Sequence, residues 1–242
     1  MKKGLVQKFF SRKAVAAVIL ACLLLFLAYE TVTWPDVSAL KTQNPKTTAF
    51  IELYKQSQKQ AGKKAYVSWK WVPYDEISPE LKRAVLVAED INFFHHHGID
   101  FSAVNEAVQE ALKEKEKPRG ASTLSQQVVK NLWLSPSRNY FRKLKEAMLT
   151  LQLEKTLKKR RILEIYLNIV EFAPGVYGAE AASQHFFKEP ASELSGKEAA
   201  ELAASLPNPG SWHPGSKSPY YSYRVELIVQ RMQTFSFINK YL

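Results

Sequence analysis

The pattern of hydrophobic and polar positions changes character twice near the start of this chain. Residues 14–29 (AVAAVILACLLLFLAY) carry no charge at all. Sixteen apolar positions fall short of the ~20 that cross a bilayer. Phe9, Phe10 and the Thr31–Trp34 flank lengthen the path, with Lys13 placed to snorkel at one interface and Tyr29 and Trp34 at the other. Residues 14–34 therefore predict a transmembrane helix, and residues 1–13 a basic tail. A cleaved signal peptide fits less well, because AYETVT after Leu27 offers no small-x-small cleavage site.

Residues 35–77 are mostly polar, with a short apolar patch around Phe50–Tyr54. They read as a juxtamembrane segment opening a small lobe. From residue 78 to 242 helix signals are dense. Ser78-Pro79-Glu80 supplies N-cap, N1 and N2 for a helix through Leu81, Val85 and Ala88. Ser122 or Thr123 is placed to cap a helix reaching Leu134. Leu144, Met148, Leu151 and Leu153 form an apolar stripe in a helix from Arg138 to Leu157. Another helix is expected over Arg161–Val170. Ser195 and Glu198 have capping-box spacing before an alanine-rich helix that Pro207 ends, and a last helix fits Tyr221–Phe237. With no strand-rich block, the predicted fold is mainly α.

Composition adds the partner class. The net charge is +11. The first 30 residues supply +4 of it (five Lys/Arg, one Glu), leaving +7 from 29 basic and 22 acidic residues. Such a surplus selects an anionic partner: phospholipid, phosphorylated substrate or nucleic acid. The basic tail places the N-terminus in the cytoplasm and everything after Trp34 outside, which removes nucleic acid. The only cysteine, Cys22, lies in the apolar run, so the external domain is held by packing without an intrachain disulfide.

Three constellations can carry chemistry. Glu89-Asp90 ends an apolar helix just before a turn marked by Gly98. A carboxylate at such an edge is open to desolvation and a raised pKa, although a solvated acidic pair is the plainer reading of the segment alone. The neighbouring His95, His96 and His97 point different ways and lack metal-site spacing, so no metal site is expected. The second, Gly120 to Asn131, combines glycine, hydroxyls, Gln126, Gln127 and Lys130 in a polar cradle at a helix start. Capping explains Ser122 and Thr123, whereas two adjacent glutamines entering an apolar helix have no such account. The third is a basic block from Arg138 to Arg161, with nine Lys/Arg and only Glu146 and Glu154 as acids. A solvated basic face is the bland reading. The spacing of Arg142, Lys145 and Glu146 also suits a carboxylate among cations that grip a pyrophosphate.

Together these segments resemble glycosyltransferase family 51, the peptidoglycan glycosyltransferases. EDxxFxxHxG is matched by Glu89, Asp90, Phe93, His96 and Gly98, and GxSTLxQQxxKN by Gly120 to Asn131. RKxxE is matched by Arg142, Lys143 and Glu146. KxxILExYLN is matched by Lys159 to Asn168, followed by Gly175, Gly178 and Ala182. LAASLPNP runs from Leu202 to Pro209. The sequence departs at Ala173-Pro174, where many relatives have glycine, and at Ser125, where threonine is common. The chain looks like the monofunctional type, without a transpeptidase domain.

The resemblance implies a lysozyme-like helical fold with a small membrane-proximal lobe. It also implies polymerisation of lipid II, with undecaprenyl-pyrophosphate-linked glycan as donor. By the same resemblance Glu89 is the general base, and Glu146 is the second glutamate near the departing pyrophosphate. Lys130, Arg138 and Lys145 neutralise that group, while Asp90, Ser122, Gln126 and Gln127 lie along the substrate cleft. Glu164 reads as structural. No cofactor is required, though a divalent cation such as Mg2+ can help the leaving group. The implied setting is the bacterial inner membrane, single-pass with a periplasmic catalytic domain, in company with other cell-wall synthesis or division proteins. The rival readings are a lysozyme-like glycan-cleaving enzyme and a non-catalytic scaffold.

Overall fold

Helices dominate because the caps foreseen in the sequence are formed. The computed structural model describes residues 12–114, 121–137 and 139–242. Among them are ten α-helices and three short strands. Arg138 and Gly120 lie outside the described residues.

One unit, ending at Asp36, contains α1 (Arg12–Val32). Its 21 residues span about 31 Å at 1.5 Å per residue, enough for a bilayer core. Nearly all its described side chains are exposed.

The second unit runs from Val37 to Leu242. A 3-10 turn (Val37–Lys41) and α2 (Ala49–Gln60) open it. Arg161 holds this entry segment, donating to the carbonyls of Leu40 (2.9 Å) and Gln43 (3.0 Å) and to Asn44 Oδ1 (2.7 Å). A third arm pairs with Glu164 at 3.0 Å.

Next come β1 (Ser68–Trp69) and α3 (Pro79–Glu89), with Ser78 as the N-cap expected. α4 (Phe101–Glu114) precedes α5 (Leu124–Trp133), where Thr123 and Gln126 complete a capping box. α6 (Tyr140–Thr156) starts at its Asn139 cap, two residues inside the expected range. α7 (Lys159–Ile169), β2 (Glu171–Ala173), β3 (Val176–Tyr177) and α8 (Ala179–Phe186) follow. α9 (Gly196–Ser205) has the Ser195/Glu198 box, and α10 (Pro219–Thr234) ends three residues earlier than expected.

The core lies where α5 meets α7 and where α3 meets α9 and α10. Leu124, Val128, Val129, Leu163, Tyr166 and Leu167 are fully buried.

The strands lie in the order β1-β3-β2, with β1 parallel to β3 and β2 antiparallel. Asn168 clips them to α7. Its side chain accepts from Val72 N–H (2.9 Å) and donates to Val72 O (3.0 Å), while its carbonyl accepts from the Trp69 indole (2.6 Å). Gly178 closes this corner at φ +82°, and a Cβ there would lie 2.6 Å from Asn168 O. Both the backbone region and the contact exclude a side chain. Gly178→Ala is expected to cost on the order of 3 kcal/mol. Thermal unfolding in detergent should show the midpoint falling by roughly 6–12 °C.

The stripe that marks α6 divides between two faces: Leu144, Met148 and Leu151 are exposed, while Leu153 is buried with Glu146, Leu149 and Thr150. Apolar periodicity located the helix without giving its inward face, which is built around a carboxylate.

Candidate active site

Glu89 is the last residue of α3, which stops because Asp90 leaves helical geometry (φ −162°, ψ 78°). The Glu89 side chain is 15% exposed. Gln127 Nε2, from α5, donates to one carboxylate oxygen at 2.9 Å, and Arg224 Nη2, from α10, donates to the other at 2.9 Å. Burial pushes this carboxyl above its ordinary pKa. The Gln127 hydrogen bond and the Arg224 charge pull it back without cancelling the rise. Tyr166 fixes the amide, its hydroxyl donating to Gln127 Oε1 at 3.2 Å. Burial, with Glu89 and Asp90 nearby, holds the Tyr166 phenol well above its usual range, so it remains a donor.

Asp90 faces the protein. Its carboxylate meets His96 Nε2 at 3.0 Å from both oxygens and accepts the Leu124 N–H at 2.8 Å. Since Gly98 N–H donates to His96 Nδ1 (3.0 Å), a neutral ring must carry its hydrogen on Nε2 and donate it to Asp90. An anion at the first turn of α5 also suits the helix dipole. Thr123 Oγ1 donates to Gly98 O at 2.6 Å, so the end of α3, the 91–98 turn and the start of α5 form one hydrogen-bonded block.

Glu146 lies on the inward face of α6 with its side chain 3% exposed, paired with Arg142 and Lys143 one turn earlier. Lys130 extends from α5 one turn after Gln127. Burial pushes its pKa down; the charge of Glu146 opposes that push, Arg142 and Lys143 reinforce it, and Glu89 opposes it. Lys130 thus feels both glutamates, and α5 is the rib between them. A cavity of about 330 Å³ adjoins Glu89, walled by Asp90, Asn92, Ser122, Arg231 and Phe235. A desolvated base beside a cavity, with a cation cluster one helix turn along, suits proton abstraction coupled to departure of an anion.

The family model described as Transglycosylase matches residues 56–233. The chain belongs to the transglycosylase family. It is 43% identical over 193 residues to a biosynthetic peptidoglycan transglycosylase of Nitrosospira multiformis, covering 80% of this chain and 84% of that one. The protein of the same name from Thiobacillus denitrificans is 42% identical over 222 residues, covering 91% and 93%. That of Laribacter hongkongensis is 40% identical over 217 residues, covering 90% and 95%.

In this transglycosylase, Gln127 contacts Glu89, and Lys130 lies within electrostatic reach of both Glu89 and Glu146, a relation the motifs alone left open. Ser122 is exposed at the cavity wall. Gln126 is buried, and its side-chain oxygen accepts the Thr123 N–H (3.0 Å) within the capping box. Lys145 is half-buried on α6 beside Glu146. His95 and His97 are exposed while His96 is buried, so the three imidazoles do point apart. At the departures from the family pattern, Ser125 donates to Glu154, and Gly175 takes the positive φ (+79°) that follows Ala173-Pro174.

Sequence reasoning missed Arg224, Arg231 and the structural use of Asp90. Arg224 stands 135 positions beyond Glu89 and outside every motif, so no spacing links them. It also missed α4, whose start Asp100 caps by accepting from Ser102 N–H and Ala103 N–H, each at 3.0 Å. Burial alone would raise the Asp100 carboxyl. The hydrogen bonds from Ser102, Ala103 and Asn92 prevail and bring it to about 2. A lowered folded-state pKa gives stability that is present above the unfolded value and lost as pH falls through the folded one. Asp100→Asn, which can still cap α4 but carries no charge, is therefore expected to cost on the order of 1–2 kcal/mol at neutral pH. It should also flatten the stability lost between about pH 4 and about pH 2. Urea unfolding at pH 3 and pH 6, compared with wild type, reads this directly.

Proposed function

We propose that this transglycosylase polymerises lipid II into β-1,4-linked glycan strands, releasing undecaprenyl pyrophosphate by a single inverting displacement. The observation that carries the reading is Glu89: a carboxylate desolvated beside a cavity and bracketed by Gln127 and Arg224, which both favour its ionised form. Glu89 takes the proton from the 4-hydroxyl of the acceptor GlcNAc. The freed oxygen bonds to C1 of the donor MurNAc, and the C1–oxygen bond to pyrophosphate breaks with its electron pair. Lys130 and Arg142 meet the departing charge around Glu146, and Lys145 and Arg138 are assigned to the same role. Ser122 and Gln127 contact substrate or orient the base. Asp90 and Gln126 hold the cleft's shape from behind.

A divalent cation such as Mg2+ would have to enter with the pyrophosphate. Among the described residues no cluster of three His, Cys, Asp or Glu side chains could hold one, and no step is routed through it.

The setting we infer is the inner membrane, with the N-terminus cytoplasmic and the catalytic domain periplasmic beside other wall-synthesis or division proteins. α1 supports an anchor. Within the catalytic unit, Phe101 and Leu112 on α4 and Phe141, Leu144 and Leu151 on α6 are exposed, and Phe101 and Leu151 line one pocket. Such an apolar surface beside lysines suits a headgroup interface.

Incubating the detergent-solubilised chain with labelled lipid II tests the polymerase reading. A ladder of lengthening strands supports it. Shortening of preformed glycan with no ladder would instead favour the cleaving enzyme, and inertness towards both substrates would favour the scaffold.

A further inference from the structure

We propose that Arg224 is a positioning residue for the Glu89 carboxylate, fixing the rotamer and charge environment of the base through a direct, largely buried ion pair. The inference rests on the general-base reading of Glu89 and assigns a function to a residue outside the five motifs.

The two groups on Glu89 do different things. Gln127, oriented by Tyr166, is a neutral donor: it aims one oxygen and adds no charge. Arg224 brings a permanent cation to the other oxygen at 2.9 Å, with both side chains mostly buried (22% and 15% exposed). Among the described residues Glu89 is the acid that pairs with Arg224.

The helix carrying Arg224 is rigidly seated. Ser218 caps α10 and Pro219 occupies its first turn. Tyr221 donates to Glu201 O on α9 at 3.0 Å, and Arg231 reaches Val87 O on α3 at 3.4 Å. Ile228 and Met232 are buried between these contacts. Arg224 is therefore delivered to the end of α3 from a fixed platform, as a group orienting a base must be.

Charged or polar groups act on Glu89 from its own chain neighbour and from α5, α7 and α10. Asp90 follows it in the chain, Gln127 and Lys130 face it from α5, Tyr166 from α7 and Arg224 from α10. Asp90 opposes ionisation, while Lys130 and Arg224 favour it. Of these two cations, Arg224 is the one in direct contact with the carboxylate. Without it, the rise imposed by burial and Asp90 would be larger, with Gln127 and Lys130 left to oppose it, and a smaller fraction of the base would be ionised and able to accept a proton.

The test is the pH dependence of kcat/KM on labelled lipid II for the full chain in detergent. Wild type is compared with Arg224→Gln, Arg224→Met and Arg224→Lys, with Glu89→Gln in parallel. Activity requires the ionised carboxylate, so losing the cation raises the pKa and moves the acid limb to higher pH. The expected shift is about one pH unit or more for the Gln and Met variants, with the Lys variant part-way back. The Met variant fills the stem without a buried amide and reads the same limb if the Gln variant does not fold. A rate that drops equally at every pH, with the limb where wild type has it, would make the pair merely structural and overturn the proposal. Continued polymerisation by Glu89→Gln would remove the base reading itself, and this inference with it.

Discussion

Glu89→Gln is expected to leave the protein folded and polymer formation lowered by at least a hundredfold, towards the ten-thousandfold end of what a general base supplies. The amide is nearly isosteric with the carboxylate: its oxygen can still accept from Arg224, while its NH2 keeps a partner in Gln127 only if the Gln127 amide flips to present its oxygen, so the backbone geometry is largely kept. Basicity is not. The acceptor hydroxyl must then give its proton to solvent in a cleft where Glu89 is only 15% exposed. Substrate binding should hold, with kcat falling far more than KM rises, because the lost interaction strengthens only as the proton moves. Glu89→Asp separates placement from charge. It keeps the charge but draws it back by one methylene from the 2.9 Å contacts to Gln127 and Arg224. Its activity should lie between wild type and the Gln variant. Labelled lipid II turnover, read beside a melting curve for each variant, checks both. A Gln variant within threefold of wild type would remove Glu89 from the chemistry.

The parts of this fold that announce themselves in sequence are those written locally. Ser78-Pro79, Thr123 with Gln126, and Ser195 with Glu198 are caps whose donors and acceptors lie within four residues, and all three form. α4 escaped because its cap, Asp100, is backed by Asn92 across a turn and its helix carries exposed apolar residues. The inward face of α6 escaped for a related reason. Its stripe is apolar where the helix is exposed and carries a carboxylate where it is buried, so hydrophobicity reports the surface instead of the core.

The site divides the same way. Gln127 and Lys130 sit one turn apart on a single helix, and that spacing is visible in the motif. Arg224 reaches Glu89 only because α10 folds back over α3, a relation that no local pattern encodes. Asp90 was legible as an acid beside Glu89. That it points the opposite way depends on Gly98, Thr123 and Leu124 arriving together.

Glu146→Gln is the second large effect expected, and it should act through Lys130. Glu146 is 3% exposed and holds Arg142, itself 15% exposed, together with Lys143, which is 49% exposed. Removing the anion leaves three cations facing one another. Lys143 can turn to water, so the stability loss should be less than the ~3–5 kcal/mol of a broken buried pair. The functional loss is the greater one. Burial already pushes the Lys130 pKa down, and the negative charge of Glu146 resists that push more than any other neighbour does. Without that charge, Arg142 and Lys143 drive Lys130 further towards the neutral amine, and Glu89 is the remaining acid that resists. A neutral Lys130 cannot compensate a departing pyrophosphate. Activity should fall about a hundredfold near neutral pH. Because the active form is the ammonium, the basic limb of the pH–rate profile should move to lower pH. Adding Lys130→Arg to Glu146→Gln supplies a cation that does not titrate in this range, so the basic limb should return even if the rate recovers only in part. If the limb stays in place in the single variant, Glu146 stabilises the fold of α6 without tuning the cluster. The pyrophosphate would then have to be met chiefly by Arg142 and Lys143.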